Sequence, residues 1–485
     1  VGLLVTAPLL VPLGTALATL LVAERPKLQR VLSLSGVFAL LACTIGLLAQ
    51  VEANGTLRVA FGGWPSPFGI EFAADRLGAS MALITAIMGA ATLVFQLSDA
   101  DPAPHSPTLT PLVHALLAGV GAAFLTADLF NLYVWFELML IAALGLLAHG
   151  AEPRHLDATL KYFVLNAIGT LLLLMAIAYV YGATGHLNFG ALERAGHSAD
   201  ALRLVPFVVA LALAFLIKSG AFPVYAWLPA SYHTLPAPLA ALFAGLLTKV
   251  GVYAVLRLLG DLFTTSPHWL FEALGWIAVG TMVFGVLGAA WHWDMRRILA
   301  FHIISQIGYM LLGIALASRE GTVGTVFYII HHIIVKANLF LVAAIVFRLT
   351  GSYDLRRCGG LYRPRPWLGL LFLVPALSLV GIPPLSGFWA KFVVVRETLV
   401  QGHYAWAAAA LLVGFLTLYS MMKIWFEAFW KKHPDPGWAV PTGTRLAPAY
   451  LATVALAFLT VAIGLWPEPL AQFAQQAAES MGRAP

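Results

Sequence analysis

The chain has 485 residues, of which 60% are hydrophobic and only 10% charged, and its mean hydropathy is +0.87. A soluble domain carries about 25% charged residues, so this chain has too few to cover a water-soluble body of its size, which excludes an ordinary soluble enzyme. The formal charge of +6 comes from 28 Lys and Arg against 22 Asp and Glu, but most of the basic residues sit in short links between apolar runs, where they read as topology signals and not as a nucleic-acid surface.

Crossing about 30 Å of hydrocarbon as a helix takes roughly 20 residues. Runs of that kind fall at 1–23, 31–51, 78–97, 108–126, 128–150, 157–181, 204–227, 236–259, 271–291, 296–317, 323–347, 367–394, 404–427 and 448–467. The predicted fold is therefore an all-α polytopic membrane protein of about fourteen transmembrane helices. Barrel strands are the poorer alternative, because these runs are continuously apolar and bounded by Pro, Gly and charge. The first run, Val1 to Val22, has no basic leader and no small-residue cleavage site before a soluble domain, so it reads as a retained helix.

Numbering the links tests the count. Odd links carry fifteen basic residues: Arg25, Lys27, Arg30, Arg154, Lys161, Arg296, Arg297, Arg348, Arg356, Arg357, Arg363, Arg365, Lys431, Lys432 and Arg445. Even links and the C-terminus carry eight: Arg58, Arg76, Arg194, Arg203, Arg257, Arg319, Arg396 and Arg483. A wrong count would mix the two sets. The bias puts odd links in the cytoplasm and both termini on the non-cytoplasmic side of the cell membrane.

Along the chain, Cys43 in an apolar run and Cys358 in a polar loop form neither a disulfide framework nor a thiolate metal site. Gly-Gly at 62–63 and 359–360 lies in links without a phosphate-binding fingerprint. Glu137 stands well inside the fifth run, nine residues after Asp128. An unpaired carboxylate there is expensive, so it is expected to face a polar interior and pair with a lysine or titrate. Asp128 fits an interfacial position or an entrance.

Lys218 comes next, where Lys-Ser-Gly and then Pro223 interrupt the helical pattern at Gly220. Freed backbone groups are tolerable at membrane depth only beside protein or a wet cavity, the physics of a broken transport helix. Lys249 follows in the eighth run. In the second half, His302 lies in a polar patch with Ser305 and Gln306, and His332 and Lys336 are four apart on one helix face. His331 points about 100° away from His332 and reads as packing. Lys391 follows a second break at Pro383, Pro384 and Gly387.

A lysine at an interrupted helix in each half is a sign of an inverted repeat. Desolvated Lys, Glu and His together suit proton relay when water links the gaps. No metal centre is expected, for lack of a Cys partner or a carboxylate at ligand spacing. No cofactor is expected either, because the many aromatic residues are more economically interface belts and helix packing.

The segments TADLFNLYVWFELMLIAALGLL, KSGAFPVYAWLPASYHTLPAPLAALFAGLLTKVGVYAVLR, FHIISQIGYMLLG, HH-x-x-x-K-x-N-L-F and GIPPLSGFWAKF, in that order, closely resemble the antiporter-like subunits. These subunits are shared by Mrp-type multisubunit cation/proton antiporters, respiratory NADH dehydrogenase and membrane-bound hydrogenases, and the likeness is closest to the D-type Mrp branch. It runs from about residue 60 to 430. It implies fourteen helices with two inverted five-helix repeats and two broken helices: helices 1–3 in 1–100, one half in 108–259, the other in 271–427, and a last helix at 448–467.

By the same resemblance, Glu137 matches the glutamate of helix five, Lys218 the lysine of broken helix seven, Lys249 that of helix eight and Lys391 that of broken helix twelve. His332 and Lys336 match the polar pair of helix eleven, and His302 a tenth-helix polar position that serves as relay or entrance. Glu137 and Lys218 are expected to form a charge pair that opens and closes with protonation. The implied partners are other membrane subunits of an antiporter complex, with H⁺ and Na⁺ as transported ions. The long lateral helix of a larger relative is not expected, since the sequence stops soon after the fourteenth run. An ion-pumping subunit of a redox enzyme and a non-conducting structural subunit are the alternatives.

Overall fold

Several helices begin where the sequence supplies a side-chain cap. The computed structural model describes residues 2–64, 68–100, 106–198 and 201–481; Arg483, counted above with the even links, lies outside them. The first helices are α1 (Gly2–Leu21) and α2 (Pro26–Asn54), followed by strands β1 (Leu57–Ala60) and β2 (Glu71–Ala74). Then come α3 (Arg76–Phe95), α4 (Leu109–Leu125), α5 (Leu129–Leu147), α6 (Pro153–Thr184) and the short α7 (Phe189–Gly196). The middle of the chain holds α8 (Ala201–Ser219), α9 (Trp227–Tyr232) and α10 (Ala237–Arg257), which a π-helical turn extends to Leu262. After these stand α11 (His268–Trp291), α12 (Met295–Ala315) and α13 (Arg319–Thr350). The last group is α14 (Pro366–Val380), α15 (Ser386–Val400), α16 (Tyr404–Ile424), α17 (Ala447–Leu465) and α18 (Glu468–Ser480).

Asp75, Asp128, Asp294 and Ser318 accept a backbone N–H three residues on, at 2.7–3.1 Å. Each satisfies a donor that a helix start leaves unpaired, a contribution of about 1 kcal/mol.

Among the described residues twelve helices are long and apolar enough to cross a membrane, and Leu109–Leu125 and Pro366–Val380 are shorter apolar ones. The expected run 204–227 ends as a helix at Ser219, and α9 follows as a separate short piece; the run 367–394 divides into α14 and α15. Gly220 at φ 75° and Gly381 at φ 96° terminate α8 and α14. That left-handed conformation is one side chains rarely adopt, so glycine is what lets each chain turn out of its helix.

Two elements were not expected from the apolar runs. β1 and β2 pair antiparallel, Leu57 opposite Ala74 and Ala60 opposite Glu71, and four-residue strands are too short to show a period beside long helices. The amphipathic α18 packs on α13 and α3, and Glu479 pairs with Arg319.

Burial shows where the centre lies. The apolar windows of α10 and α13 are wholly enclosed by protein and that of α12 is 94% buried, whereas α1 and α2 are only 28% buried. Apolar helices with so much outward surface have lipid as their natural contact.

Polar groups at the links are also built in. His233, between α9 and α10, donates from Nδ1 to Pro229 O at 2.8 Å and accepts at Nε2 from the Arg297 guanidinium at 3.2 Å. Burial, and then the Arg297 charge, lower its pKa from the usual 6.5 to about 4. The imidazole is therefore neutral in the fold at pH values where an unfolded chain takes up a proton. Its contribution to stability is full above about pH 6.5 and falls as pH drops toward 4. The thermal midpoint of the parent protein should drop further between pH 7.5 and pH 5 than that of His233→Gln; equal drops would remove this role.

Candidate functional site

Charges inside apolar helices are tolerable where protein encloses them, and the packing order supplies such a path. α5 packs on α6, α6 on α8, α8 on α10, α10 on α13 and α13 on α15. Each of these helices brings at least one polar or ionisable side chain to the interior.

Glu137 on α5 is half-buried, and its Oε1 is enclosed without a hydrogen-bond partner among the described residues. Lys218, in the last turn of α8, is buried and donates from Nζ to Thr170 Oγ1 on α6 at 2.5 Å, with Nζ 5.5 Å from the centre of the Phe136 ring. No ion pair joins Glu137 to Lys218 among the described residues; the ammonium turns to the α6 hydroxyl instead. Phe136, Tyr162, Asn166, Lys218 and Trp227 line a cavity of about 20 Å³ between them, room for a water.

Gly251 on α10 faces the end of α8, where a Cβ would come 2.7 Å from Ser219 N and 3.0 Å from Lys218 C. Only a hydrogen fits there, so the lysine at the break is held against α10. Gly251→Ala should cost about 1–3 kcal/mol of stability through overpacking. It should also shift Lys218 and reduce transport, read as a lower thermal midpoint together with a slower rate; an unchanged midpoint would show that the contact yields freely.

Lys249 on α10 is fully buried and donates to Ala244 O at 2.5 Å and Thr248 Oγ1 at 3.3 Å, so its side chain curls back toward the helix start. One turn earlier, Gly245 lies against Ile333 and Ala337 of α13. This contact sets Lys249 across from the turn that carries Lys336. Lys336 Nζ, both ring nitrogens of His332 and both amide atoms of Asn338 are buried without a partner among the described residues. Buried polar groups are ordinarily satisfied by protein or water, so this stretch of α13 has the greatest demand for water in the molecule's centre.

His331 does more than pack. Its Nδ1 lies 2.7 Å from Ser386 Oγ, which is 3.0 Å from Ser378 Oγ, which accepts from Gly387 N at 3.1 Å. The chain of contacts ties α13 to both ends of the α14–α15 break. The 100° offset from His332 is what aims His331 there, so adjacency to an axial histidine is a signal that sequence reading undervalued. Thr170 gave no signal, being a common residue type in membrane helices, and Asn338 stood out only as a position of the HH-x-x-x-K-x-N-L-F segment.

Lys391 on α15 donates to Val380 O at 2.9 Å and lies 4.7 Å from the Tyr309 ring centre. The freed carbonyl at the end of α14 thus accepts the ammonium. Lys391 and Arg396 also line an apolar cavity of about 530 Å³ between α15 and α16. His302 meets Ser420 Oγ at 2.5 Å through Nε2, and Gln306 accepts from Tyr328 OH at 2.5 Å. Asp128 is spent on capping α5 through Asn131 N at 2.8 Å. The structure thus brings Lys218, Lys249, His332, Lys336 and Lys391 onto successive packed helices, sets Glu137 at one end, and leaves Asp128 at a helix start.

The family described as NADH:quinone oxidoreductase/Mrp antiporter, TM, matches residues 126–417, a stretch that contains every one of these groups. This chain belongs to that family. The D-type subunit of a Na(+)/H(+) antiporter from Alkalihalophilus pseudofirmus is 41% identical over 481 residues, covering 99% of this chain and 97% of the relative. A solved chain of the Mrp complex from Dietzia sp. DQ12-45-1b superposes with a TM-score of 0.91 at 30% identity, covering 99% and 98% of the two chains. A chain of an archaeal membrane-bound sulfane sulfur reductase superposes at 0.90 with 25% identity, covering 98% and 97%. Chains similar to this one therefore occur in a Na(+)/H(+) antiporter and in an archaeal respiratory membrane complex. This member is a multi-pass membrane protein.

Proposed function

We propose that this chain is the proton-translocating subunit of a multisubunit Na⁺/H⁺ antiporter complex in the cell membrane, working with other membrane subunits. Protons pass along Glu137, Lys218, Lys249, His332, Lys336 and Lys391, with His302 beside the second half of the path. The observation that carries this reading is the unbroken packing of α5, α6, α8, α10, α13 and α15, each presenting a polar or ionisable group inside an otherwise apolar interior. Intramembrane ionisable groups are costly and default to function.

Lys218 in this structure is turned to Thr170, which we assign to the open state of the Glu137–Lys218 pair. We read the twelve long apolar helices, the short α4 and the broken α14–α15 unit as fourteen spans, and we place inverted five-helix halves at 108–259 and 271–427. Both termini lie on the non-cytoplasmic side, as the distribution of Lys and Arg over the links favours.

The likeness to a respiratory complex at a TM-score of 0.90 favours one second reading, the same axis driven by electron transfer elsewhere. Cells stripped of their own sodium antiporters distinguish the two. The parent chain expressed with its companion subunits should restore growth in high sodium at alkaline pH, and Lys391→Ala should not. Restoration by both would separate Lys391 from transport, and restoration by neither would favour the redox reading.

A further inference from the structure

The proposed axis passes from helix to helix through the protein interior, and a proton must also leave it. On α10, Lys249, Tyr253, Arg257 and Asp261 recur every fourth residue. Four residues advance a helix about 6 Å and leave successive side chains on nearly one face. Their exposure rises in the same order: Lys249 0%, Tyr253 3%, Arg257 8% and the Asp261 side chain 20%. The stripe begins at the most enclosed lysine and ends near the surface, where α10 passes into a π-helical turn at Leu258–Leu262. Such turns are rare and frequent at functional sites.

The outer part of the stripe is a connected network. Tyr253 donates its hydroxyl to Phe124 O at 2.8 Å and accepts from Arg257 Nε at 3.0 Å. Arg257 also donates to Asp261 at 3.0 Å and pairs with Asp75, whose other carboxylate oxygen caps α3 at Gly78 N, 2.7 Å away. The Glu193 carboxylate on α7 adds negative charge near Asp261. The start of α3, the end of α4 and the end of α10 meet here. All three border even links, the side to which the link charges assign the non-cytoplasmic face. The axis needs none of these groups, and a buried arginine between two carboxylates is a costly way to join helices.

We propose that Tyr253, Arg257, Asp75 and Asp261 form an outer proton route from Lys249 with Arg257 as its gate. This rests on the proton-translocating reading above. In the present structure the gate is closed. Lys249 Nζ points away from Tyr253 to Ala244 O, and the Tyr253 hydroxyl is held between Phe124 O and Arg257.

Opening requires Lys249 to swing toward Tyr253 and Arg257 to release that hydroxyl. The Lys249 ammonium then gives its proton to the hydroxyl oxygen through water while the hydroxyl proton passes outward to Asp75 or Asp261. The lysine becomes a neutral amine, the aspartate a carboxylic acid, and the acid releases the proton to outer water. The fixed guanidinium charge repels a proton at other times, which prevents leak.

The test uses proteoliposomes containing the whole complex, with passive proton flux read after an imposed pH jump without sodium and antiport read on sodium addition. Arg257→Gln should raise sodium-independent proton flux severalfold. Tyr253→Phe keeps the ring that packs edge-on against Phe124 at 5.0 Å and removes only the hydroxyl. It should lower antiport about tenfold or more with assembly intact, and it should cancel the leak when combined with Arg257→Gln.

Parental antiport in Tyr253→Phe, or a leak that survives in the double variant, would overturn the route. Where Arg257→Gln fails to assemble, Tyr253→Phe alone decides. A parent complex inert to sodium would defeat the antiporter reading, while the imposed pH jump would still decide the route through the leak of Arg257→Gln and its loss in the double variant.

Discussion

Replacing Glu137 with Gln in the assembled complex is expected to slow sodium-driven proton movement about 100-fold or more, the scale of losing a positioned proton-transfer group. Glu137 is the one carboxylate of the proposed axis, and the other members are Lys and His. Its Oε1 makes no hydrogen bond among the described residues, so Gln loses no structural contact there and complex assembly should persist. Glu137→Asp, which keeps the charge on a shorter stem, should recover part of the rate. A structural role predicts the reverse pattern, with assembly lost and the rate per assembled complex unchanged. Initial rates of pH change, normalised to the amount of intact complex, separate the two.

Lys336→Met should move stability and transport in opposite directions. Lys336 is fully enclosed on α13 and its Nζ has no hydrogen-bond partner among the described residues. Taking an ammonium out of bulk water into an enclosed interior is costly, and Met fills a similar volume without that cost. The variant is expected to melt at a higher temperature than the parent and to transport about 100-fold more slowly. A residue kept at a stability cost is one whose chemistry is used. A lower midpoint would show that Lys336 supports the fold, and an unchanged rate would remove it from the path.

The membrane architecture was legible because its signals are long-range and redundant. Apolar runs, Gly and Pro at the two breaks, and basic residues in the links each point to the same boundaries. Elements whose signals are short or depend on neighbours were not legible. The hairpin of Leu57–Ala60 with Glu71–Ala74 spans too few residues to establish a period. The amphipathic α18 is too polar to stand out in a search for apolar spans.

The site divides the same way. Glu137, Lys218, Lys249, Lys336 and Lys391 stand out because a charge in an apolar run is improbable without a reason. Their partners do not stand out. Thr170 beside Lys218, Ser386 beside His331 and Val380 O beside Lys391 are set by how helices pack, and a threonine or a carbonyl carries no mark of that role in sequence. Arg257 was read only as a link charge, because its position near the end of α10 hides its burial between Asp75 and Asp261.

The most direct measurement is made on sealed vesicles containing the intact complex, with internal pH followed as sodium is added and no electron donor present. Proton translocation coupled to sodium through this chain predicts a rapid pH change in parental vesicles, absent from vesicles with Glu137→Gln or Lys391→Ala at equal complex content. No pH change in the parental vesicles, or the same change in all three, would contradict it.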